Sequence, residues 1–268
     1  MHSFKEQFAN SKWAKMITPA GSRECESCGN EYKVYETPKG LQGACETCLD
    51  RELKKDLPFI EDLQERRALN FIESFERVPR ELKEATVNSY QPKHESQVEA
   101  KKLLAKFIQG FEENKGISLV LSGHPGLGKS HLAYATAKAL KERKYKVLYV
   151  KVSDLLEHVR GTYNPKSPVS ETQIFEMIQG LDLLVLDDIG AEYVKLNESG
   201  QETWVSDVLC KIFDLRLSQS TVCTTNYSES ELAAKYGTHG NRITSRMLEN
   251  AKGIRIEGQD QRKRKDAF

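Results

Sequence analysis

The stretch LVLSGHPGLGKSH, Leu119 to His131, decides the fold of this chain of 268 residues. Its first part is an apolar run typical of a β-strand, and its second part is the complete pattern G-x-x-x-x-G-K-S followed by a helical stretch. Strand, glycine-rich loop and helix in that order form the context in which this pattern binds phosphate. The glycines let backbone N–H groups close around phosphate oxygens at the N-terminus of a helix. The stretch therefore predicts a loop that binds the β- and γ-phosphates of ATP.

The polar side chains of this loop have expected roles. Lys129 adds a positive charge against the phosphates, and the Ser130 hydroxyl is placed to bind Mg²⁺. The alternative is a glycine-rich turn with a chance Lys-Ser pair. The predicted ATP-binding residues are Gly123, His124, Pro125, Gly126, Leu127, Gly128, Lys129, Ser130 and His131.

From about Ala85 onward, short strand-forming runs alternate with helical stretches. This alternation predicts an α/β fold in which a parallel sheet carries helices on both faces. The predicted strands are residues 118–122, 146–152, 182–188, 220–226 and 253–258, and the clearest helices are residues 129–144 and 202–217.

Composition limits the class of protein. Hydrophobic residues make up 38% and charged residues 29% of the chain, and no run approaches the ~20 apolar residues of a membrane-spanning helix. The N-terminus lacks the apolar segment of a signal peptide, so we expect a cytoplasmic protein with no membrane partner. The net charge of +1 leaves nucleic-acid contact to local patches. The basic end, Gln261 to Phe268, is either such a patch or a solvated terminus.

Four cysteines form two Cys-x-x-Cys pairs, Cys25 with Cys28 and Cys45 with Cys48. Four thiolates at this spacing are typical of a tetrahedral structural Zn²⁺ site, in which no position is left open for substrate. A pair of disulfides is the alternative, which a cytosolic chain disfavours. The remaining cysteines lie in apolar stretches and are expected to be buried and reduced. They are Cys210 and Cys223.

The character of the sequence changes twice, which predicts three segments. Residues 1–55 form a zinc-binding N-terminal domain, residues 56–85 a charged helical linker interrupted at Pro58 and Pro79, and residues 86–268 an ATPase domain. A segment of about 50 residues buries too little surface to fold alone. Structural zinc can contribute on the order of 10 kcal/mol to its folding.

Polar residues follow two of the predicted strands. Asp187 and Asp188 end an apolar strand, where Asp187 can hold Mg²⁺ directly or through water and Asp188 can orient or deprotonate the attacking water. An ordinary surface turn is the alternative. Asn226 follows another strand, and it faces the γ-phosphate if that strand neighbours the phosphate-loop strand. Otherwise it caps the next helix.

Two arginines, Arg242 and Arg246, are four residues apart and share one helical face. They form either a solvated stripe or a cation that stabilises charge in the transition state, which P-loop ATPases often receive from a neighbouring subunit. Composition alone leaves both alternatives open.

A resemblance narrows these alternatives. The motifs GHPGLGKS, LLVLDDIGAE, WVSDVLCKIFDLR, TTN, NRITSRMLE and GQDQR follow in the order and spacing of bacterial and phage replicative-helicase loaders of the DnaC/DnaI type. These loaders are AAA+ ATPases and are related to the IstB-like ATPases. The resemblance covers roughly Ala85 to Arg262.

By position, the resemblance implies that Asn226 is the first sensor, that Arg246 is an arginine finger reaching a neighbour's ATP, and that Arg262 is the second sensor. Asp188 stands where AAA+ proteins commonly have Glu, which implies slow hydrolysis. The implied catalytic residues are Lys129, Asp187, Asp188, Asn226, Arg246 and Arg262.

Relatives of this type carry extra helices, associated with single-stranded DNA, before the Asp-Asp strand. The matching region contains Arg160, Tyr163 and Lys166, which would supply two charges and one stacking surface. The alternative is a solvated loop.

The resemblance implies a helicase loader with ATP, Mg²⁺ and Zn²⁺ as cofactors. Its partners would be a hexameric replicative helicase, single-stranded DNA and further copies of itself. The N-terminal region would hold the helicase, with Phe4, Phe8 and Trp13 either as exposed anchors or packed on the zinc module. Three alternatives stay open: an IstB-like transposition ATPase, a non-hydrolysing ATP-dependent DNA-binding adaptor, and a small-molecule kinase.

Overall fold

The computed structural model describes residues 18–194 and 204–262. The chain divides into two compact units, Met1–Arg67 and Ala68–Phe268. The basic residues after Arg262 fall outside the described ranges, so their role stays a prediction. The same holds for the aromatic residues Phe4, Phe8 and Trp13.

The first unit contains a small antiparallel sheet in the order β1-β2-β3. Its strands are β1, Thr18–Glu24; β2, Glu31–Thr37; and β3, Gly40–Gln42. After β3, a Cβ at Gly43 would lie 2.5 Å from the carbonyl oxygen of Lys33. Glycine therefore lets the chain pass close to β2 on its way to the next helix.

Helix α1, Glu46–Ser74, begins in the first unit and ends in the second. The predicted interruption at Pro58 was wrong, because the helix continues through that residue. A proline inside a helix removes one backbone hydrogen bond and need not end the helix. The chain does leave the helix before Pro79, which precedes the short 3₁₀ helix Arg80–Leu82.

The second unit alternates helices and strands, as the sequence predicted. After α1 its elements are α2, Glu95–Gln109; β4, Ser118–Ser122; α3, Lys129–Glu142; β5, Val147–Lys151; α4, Val152–Gly161; α5, Glu171–Gln179; β6, Leu183–Ile189; α6, Trp204–Leu215; β7, Ser220–Thr225; α7, Glu229–Lys235; the 3₁₀ helix Gly237–His239; α8, Gly240–Leu248; and β8, Ala251–Arg255.

These five strands form one parallel sheet in the order β5-β6-β7-β4-β8. Strand β7 lies between β4 and β6, so the carboxyl ends of all three meet at one edge. The last strand was predicted at residues 253–258 but pairs with β4 from Ala251 to Arg255. Beyond that point the chain turns across the end of β4, where the Ile256 N–H donates a hydrogen bond to the Ser122 carbonyl oxygen at 2.7 Å.

Helices cover both faces of the sheet, which confirms the predicted α/β class. Alternate strand residues point to opposite faces, so Leu148 and Leu186 pack with α4, α5 and α6 in one core. Tyr149 and Val185, their neighbours in the strands, pack with α2 and α3 in the other core. In the described part of the chain, no helix combines the length and apolar character that crossing a membrane requires.

A buried arginine fixes the amino ends of β6 and β7. The Arg216 guanidinium donates hydrogen bonds to the carbonyl oxygens of Ile178 at 3.1 Å and Leu181 at 2.6 Å, and to that of Ser220. Burial lowers the pKa of Arg216 to about 10, so the side chain stays charged at neutral pH. Its charge is thus satisfied by three main-chain acceptors, at the end of α5, in the turn before β6 and at the start of β7.

Replacing this arginine should destabilise the second unit. In Arg216→Met the apolar stem is kept, but three buried carbonyl groups each lose the bond from the guanidinium, and we expect a loss of about 3 kcal/mol in the free energy of unfolding. Urea unfolding followed by circular dichroism measures it. The exposed Arg255→Ala variant is the control and should change stability by less than about 0.5 kcal/mol. Equal stability of both variants would contradict the prediction.

Candidate nucleotide and metal sites

The phosphate loop, residues 123–128, connects β4 to α3, which begins at Lys129. Gly128 has a φ of 84°, and a Cβ at this position would lie 2.4 Å from the ring of Tyr90. The Tyr90 hydroxyl donates a hydrogen bond of 2.7 Å to the Leu127 carbonyl oxygen. Tyr90 therefore supports the loop through its ring and its hydroxyl, which the sequence did not reveal. The helix N-terminus and the glycine backbone suit the oxygens of a triphosphate.

Lys129 lies inside the loop and is only 7% exposed. Its Nζ donates three hydrogen bonds of 2.8 Å, to the carbonyl oxygens of Gly123 and His124 and to Oδ1 of Asn226. Burial lowers the pKa of Lys129 to about 8, while the nearby Asp188 opposes that shift. The ammonium group is thus held in place by two acceptors of the loop and one at the end of β7.

Asp188 and Asn226 meet at the carboxyl edge of the sheet. The pairing of β6 with β7 shifts register between Leu186 and Ile189, and Asp188 adopts a φ of 63° there. The Asn226 Nδ2 donates a hydrogen bond of 2.9 Å to Asp188 Oδ1. The side-chain amide of Asn226 therefore links Lys129 to Asp188, with one hydrogen bond to each.

The two acids of this edge have different surroundings. Asp187 is 1% exposed, and its oxygens accept hydrogen bonds from the hydroxyls of Tyr149 at 2.7 Å and Thr224 at 2.6 Å. Asp188 is half-buried; burial, followed by the charge of Asp187, raises its pKa, while Lys151 opposes the shift. Asp187 is therefore fixed by two donors, whereas Asp188 is a half-buried carboxylate with a raised pKa.

Ser130 and His131, the two residues after Lys129, both lie in the first turn of α3. The Nε2 atom of His131 lies 3.0 Å from the Thr86 carbonyl oxygen and 3.2 Å from Ser89 Oγ. His131 thus contacts the segment that precedes α2, and a role at bound ATP stays a prediction.

The chain returns to the phosphate loop after β8. The Gln261 N–H donates a hydrogen bond of 2.9 Å to the Gly126 carbonyl oxygen, and the Asp260 carboxylate lies against Gly126. Asp260 Oδ1 accepts a hydrogen bond of 2.9 Å from the Arg262 N–H. This turn brings Arg262 beside the loop with its side chain 69% exposed. Asp260 itself was not singled out from sequence.

The predicted arginine finger is paired with acids of its own chain. On α8, the Arg246 Nε lies 3.3 Å from Asp214 Oδ1, and its Nη1 lies 2.8 Å from Glu249 Oε2. Arg242 Nη2 lies 2.6 Å from Asp214 Oδ2. Among the described residues, these arginines contact Asp214 of α6 and Glu249, which directly follows α8, and neither is paired with the phosphate loop.

The residues predicted to contact DNA come together only in part. The Arg160 guanidinium lies 4.5 Å from the centre of the Trp204 ring, and Trp204 Nε1 donates a hydrogen bond of 2.9 Å to the Tyr163 hydroxyl. Trp204 joins this cluster from α6, about 40 residues away along the chain, so spacing alone gave no sign of it. Lys166 bonds locally, through its main-chain N–H, to Asn164 Oδ1 at 3.0 Å.

The four N-terminal cysteines form one cluster. Their Sγ atoms all lie within 4.8 Å of one another, with Cys28 and Cys45 at 3.4 Å and Cys25 and Cys48 at 3.7 Å. Tetrahedral ligands at the usual Zn–S distance are about 3.8 Å apart, so the thiols suit Zn²⁺. Hydrogen bonds from backbone N–H groups, first that of Ser27, lower the pKa of Cys25 to about 7. No disulfide joins the cysteines, all of which lie in the described ranges.

With this geometry in place, a family comparison identifies the ATP-binding part. The model of the family described as "IstB-like ATP binding protein" matches residues 57–267. The chain belongs to this family. It is a P-loop ATP-binding protein, and the match includes the phosphate loop and the Asp-Asp strand.

Individual relatives confirm the resemblance to DnaC/DnaI proteins. The replicative helicase loader DnaC of Buchnera aphidicola subsp. Schizaphis graminum is 33% identical over 104 residues, 39% of this chain and 42% of the relative. The replicative helicase loader DnaI of Bacillus subtilis is 31% identical over 169 residues, 58% of this chain and 51% of the relative. The chain thus spans about half the length of these curated relatives.

A solved structure confirms the fold. The crystal structure of the DnaC helicase loader superposes with a TM-score of 0.57 and 27% sequence identity, covering 67% of this chain and all of that one. The AAA+ fold that the resemblance implied is therefore confirmed.

Metal content tests the cysteine cluster. We expect one zinc ion per purified chain, and removal by a strong chelator should unfold residues 18–45, because four-thiolate sites contribute on the order of 10 kcal/mol to folding. Cys45→Ser should lower the zinc content severalfold, whereas Cys210→Ser, outside the cluster, should keep it. Atomic emission and circular dichroism measure both. Full zinc content in Cys45→Ser would contradict the assignment.

Proposed function

We propose that this chain is an ATP-dependent loader of a replicative DNA helicase onto single-stranded DNA. In this role the zinc module holds the hexameric helicase, ATP binding promotes assembly of the loader, and hydrolysis releases the helicase. The observation that carries the proposal is the Asn226 amide, which hydrogen-bonds to both Lys129 and Asp188. A γ-phosphate placed between them would change both contacts. The hydrogen bonds of Asn226 would therefore differ between bound ATP and bound ADP.

Bound ATP would supply the phosphoanhydride bond that is broken, and Ser130 and Asp187 would hold the accompanying Mg²⁺, which would neutralise charge on the phosphates. The chain's own groups have separate tasks. Lys129 binds the phosphates, Asp188 orients the attacking water and accepts its proton, and Asn226 holds Asp188 in place. The raised pKa of Asp188 makes it a better base than an exposed aspartate.

Arg246 completes the site from a neighbouring copy in this proposal. Its ion pairs with Asp214 and Glu249 hold it on the surface of α8. Exposed ion pairs are weak, so a neighbour's phosphates can compete for the guanidinium. Arg262, beside the phosphate loop of its own chain, would add a second cation. Hydrolysis therefore depends on assembly.

The cluster of Arg160, Tyr163 and Trp204 supports contact with single-stranded DNA. Aromatic rings and a guanidinium group provide sequence-independent stacking surfaces for bases. Lys166 would add a charge for the phosphate backbone.

The family match favours one alternative, an IstB-like ATPase that serves transposition. Both functions use the same ATP site, so the partner distinguishes them. A stable complex with a transposase and none with a helicase would support this alternative.

The leading proposal is tested by mixing the full chain with the replicative helicase of its host. We expect a defined complex with ATP and weaker association without it, measured by multi-angle light scattering. Cys45→Ser, which disrupts the zinc module, should lose the complex while it still binds ATP. Absence of a complex with and without ATP would overturn the proposal.

Two variants separate binding from assembly-dependent hydrolysis. Lys129→Ala should weaken ATP binding roughly 10- to 100-fold, because it removes a charged partner of the phosphates. Arg246→Ala should bind ATP normally but lose about 10³-fold in hydrolysis by the assembled protein, as expected for an arginine acting in trans. Fluorescent-nucleotide titration and phosphate release measure the two effects. Normal hydrolysis by assembled Arg246→Ala would show that another residue acts in trans.

A further inference from the structure

Asp187 is held by two hydroxyl groups from the strands on either side of its own. Tyr149 on β5 donates to Oδ2, and Thr224 on β7 donates to Oδ1. All three side chains are at most 1% exposed. Each carboxylate oxygen therefore has one fixed donor, and the plane of the carboxylate is set by its neighbours.

The Thr224 hydroxyl also connects the two acids. It accepts a hydrogen bond of 2.8 Å from the Asp188 N–H while it donates to Asp187. A hydroxyl has one proton, so these two partners fix its direction. The side chain of Asp187 and the main chain of Asp188 are thus joined through a single oxygen atom.

The Tyr149 hydroxyl is restricted to the role of a donor. Its ring is fully buried and packs edge-on against Tyr134, with ring centres 5.1 Å apart. A phenol carries its proton at neutral pH, and the position of this one is set by the core beneath it.

A buried carboxylate needs donors for stability alone, so the location of this one matters. It ends β6 beside the phosphate loop, on the edge where Lys129, Asp188 and Asn226 meet. Carboxylates that bind metal are commonly oriented by hydrogen bonds from groups that do not touch the ion, and loss of such a partner typically weakens metal binding 10- to 100-fold.

We propose that Tyr149 and Thr224 are positioning residues for Mg²⁺, which orient Asp187 toward the ion that accompanies a bound nucleotide. The inference rests on the proposed use of Asp187 in the ATP site. Neither hydroxyl touches the nucleotide or the ion. Their effect is on the affinity for the metal, and the affinity for the nucleotide without metal is left unchanged.

Titrations of the full chain with a fluorescent ATP analogue test the proposal, in EDTA and over a range of Mg²⁺ concentrations. Tyr149→Phe and Thr224→Val each keep the shape of the side chain and remove one hydroxyl. We expect each to raise the Mg²⁺ concentration at half-saturation about tenfold, with unchanged affinity in EDTA. Thr224→Ser, which restores the hydroxyl, should behave like the unaltered chain. Electron paramagnetic resonance should show weaker Mn²⁺ binding to the ADP complexes of Tyr149→Phe and Thr224→Val, and unchanged binding to that of Thr224→Ser.

Tyr236→Phe is the matched control. The Tyr236 hydroxyl also donates to a buried carboxylate, that of Glu192. This variant loses the same kind of bond to a carboxylate that is not among the proposed metal ligands, so it should lose stability but keep the metal dependence of the unaltered chain.

The outcomes separate the two proposals. Unchanged metal dependence in Tyr149→Phe and Thr224→Val would overturn the positioning role, and so would an equal shift in Tyr236→Phe. If Tyr149→Phe does not fold, the pair Thr224→Val and Thr224→Ser decides the question alone. Failure of the unaltered chain to bind the nucleotide would instead disprove the proposed function.

Discussion

The structure depends on one buried positive charge. The Lys129 ammonium is removed from water, which lowers its pKa to about 8, while the charges of Asp188 and Asp187 oppose that shift. Three oxygens accept its hydrogen bonds at 2.8 Å. Two of those oxygens belong to the loop, and the third, on Asn226, belongs to the end of β7. The charge can be held in this way only if β7 lies directly beside β4. The strand order of the sheet and the shape of the loop therefore both serve to supply hydrogen-bond acceptors to the buried ammonium group.

Much of this arrangement follows from the sequence. Strand runs of five to seven residues, the spacing of the glycine-rich loop and the paired cysteines are local patterns, and local patterns predict local structure. The placement of Asn226 was predicted only on the condition that β7 neighbours β4, and the strand order of the sheet meets that condition. The predicted limits of strand β8 were less accurate, because they depend on pairing with β4 and on the turn across the end of that strand.

Other parts of the site carry no local signature. Tyr149 and Tyr90 look like ordinary core aromatics in the sequence, and their roles arise from partners 38 and 37 residues away. Trp204 joins Arg160 and Tyr163 only through the packing of α6 near α4. A pattern of residue types cannot show which hydroxyl will meet which carboxylate. The prediction at Pro58 was wrong for a related reason. The low helix propensity of a single proline did not end a helix that the residues on both sides of it form.

The left-handed backbone at Asp188 has a consequence for the identity of that acid. Side chains generally resist a φ of 63°, and aspartate and asparagine tolerate it best because their short polar side chains can bond locally. Glutamate lacks that local bonding and has a longer chain to order. The conformation of the main chain at the register shift in β6 therefore favours the shorter acid at this position by itself.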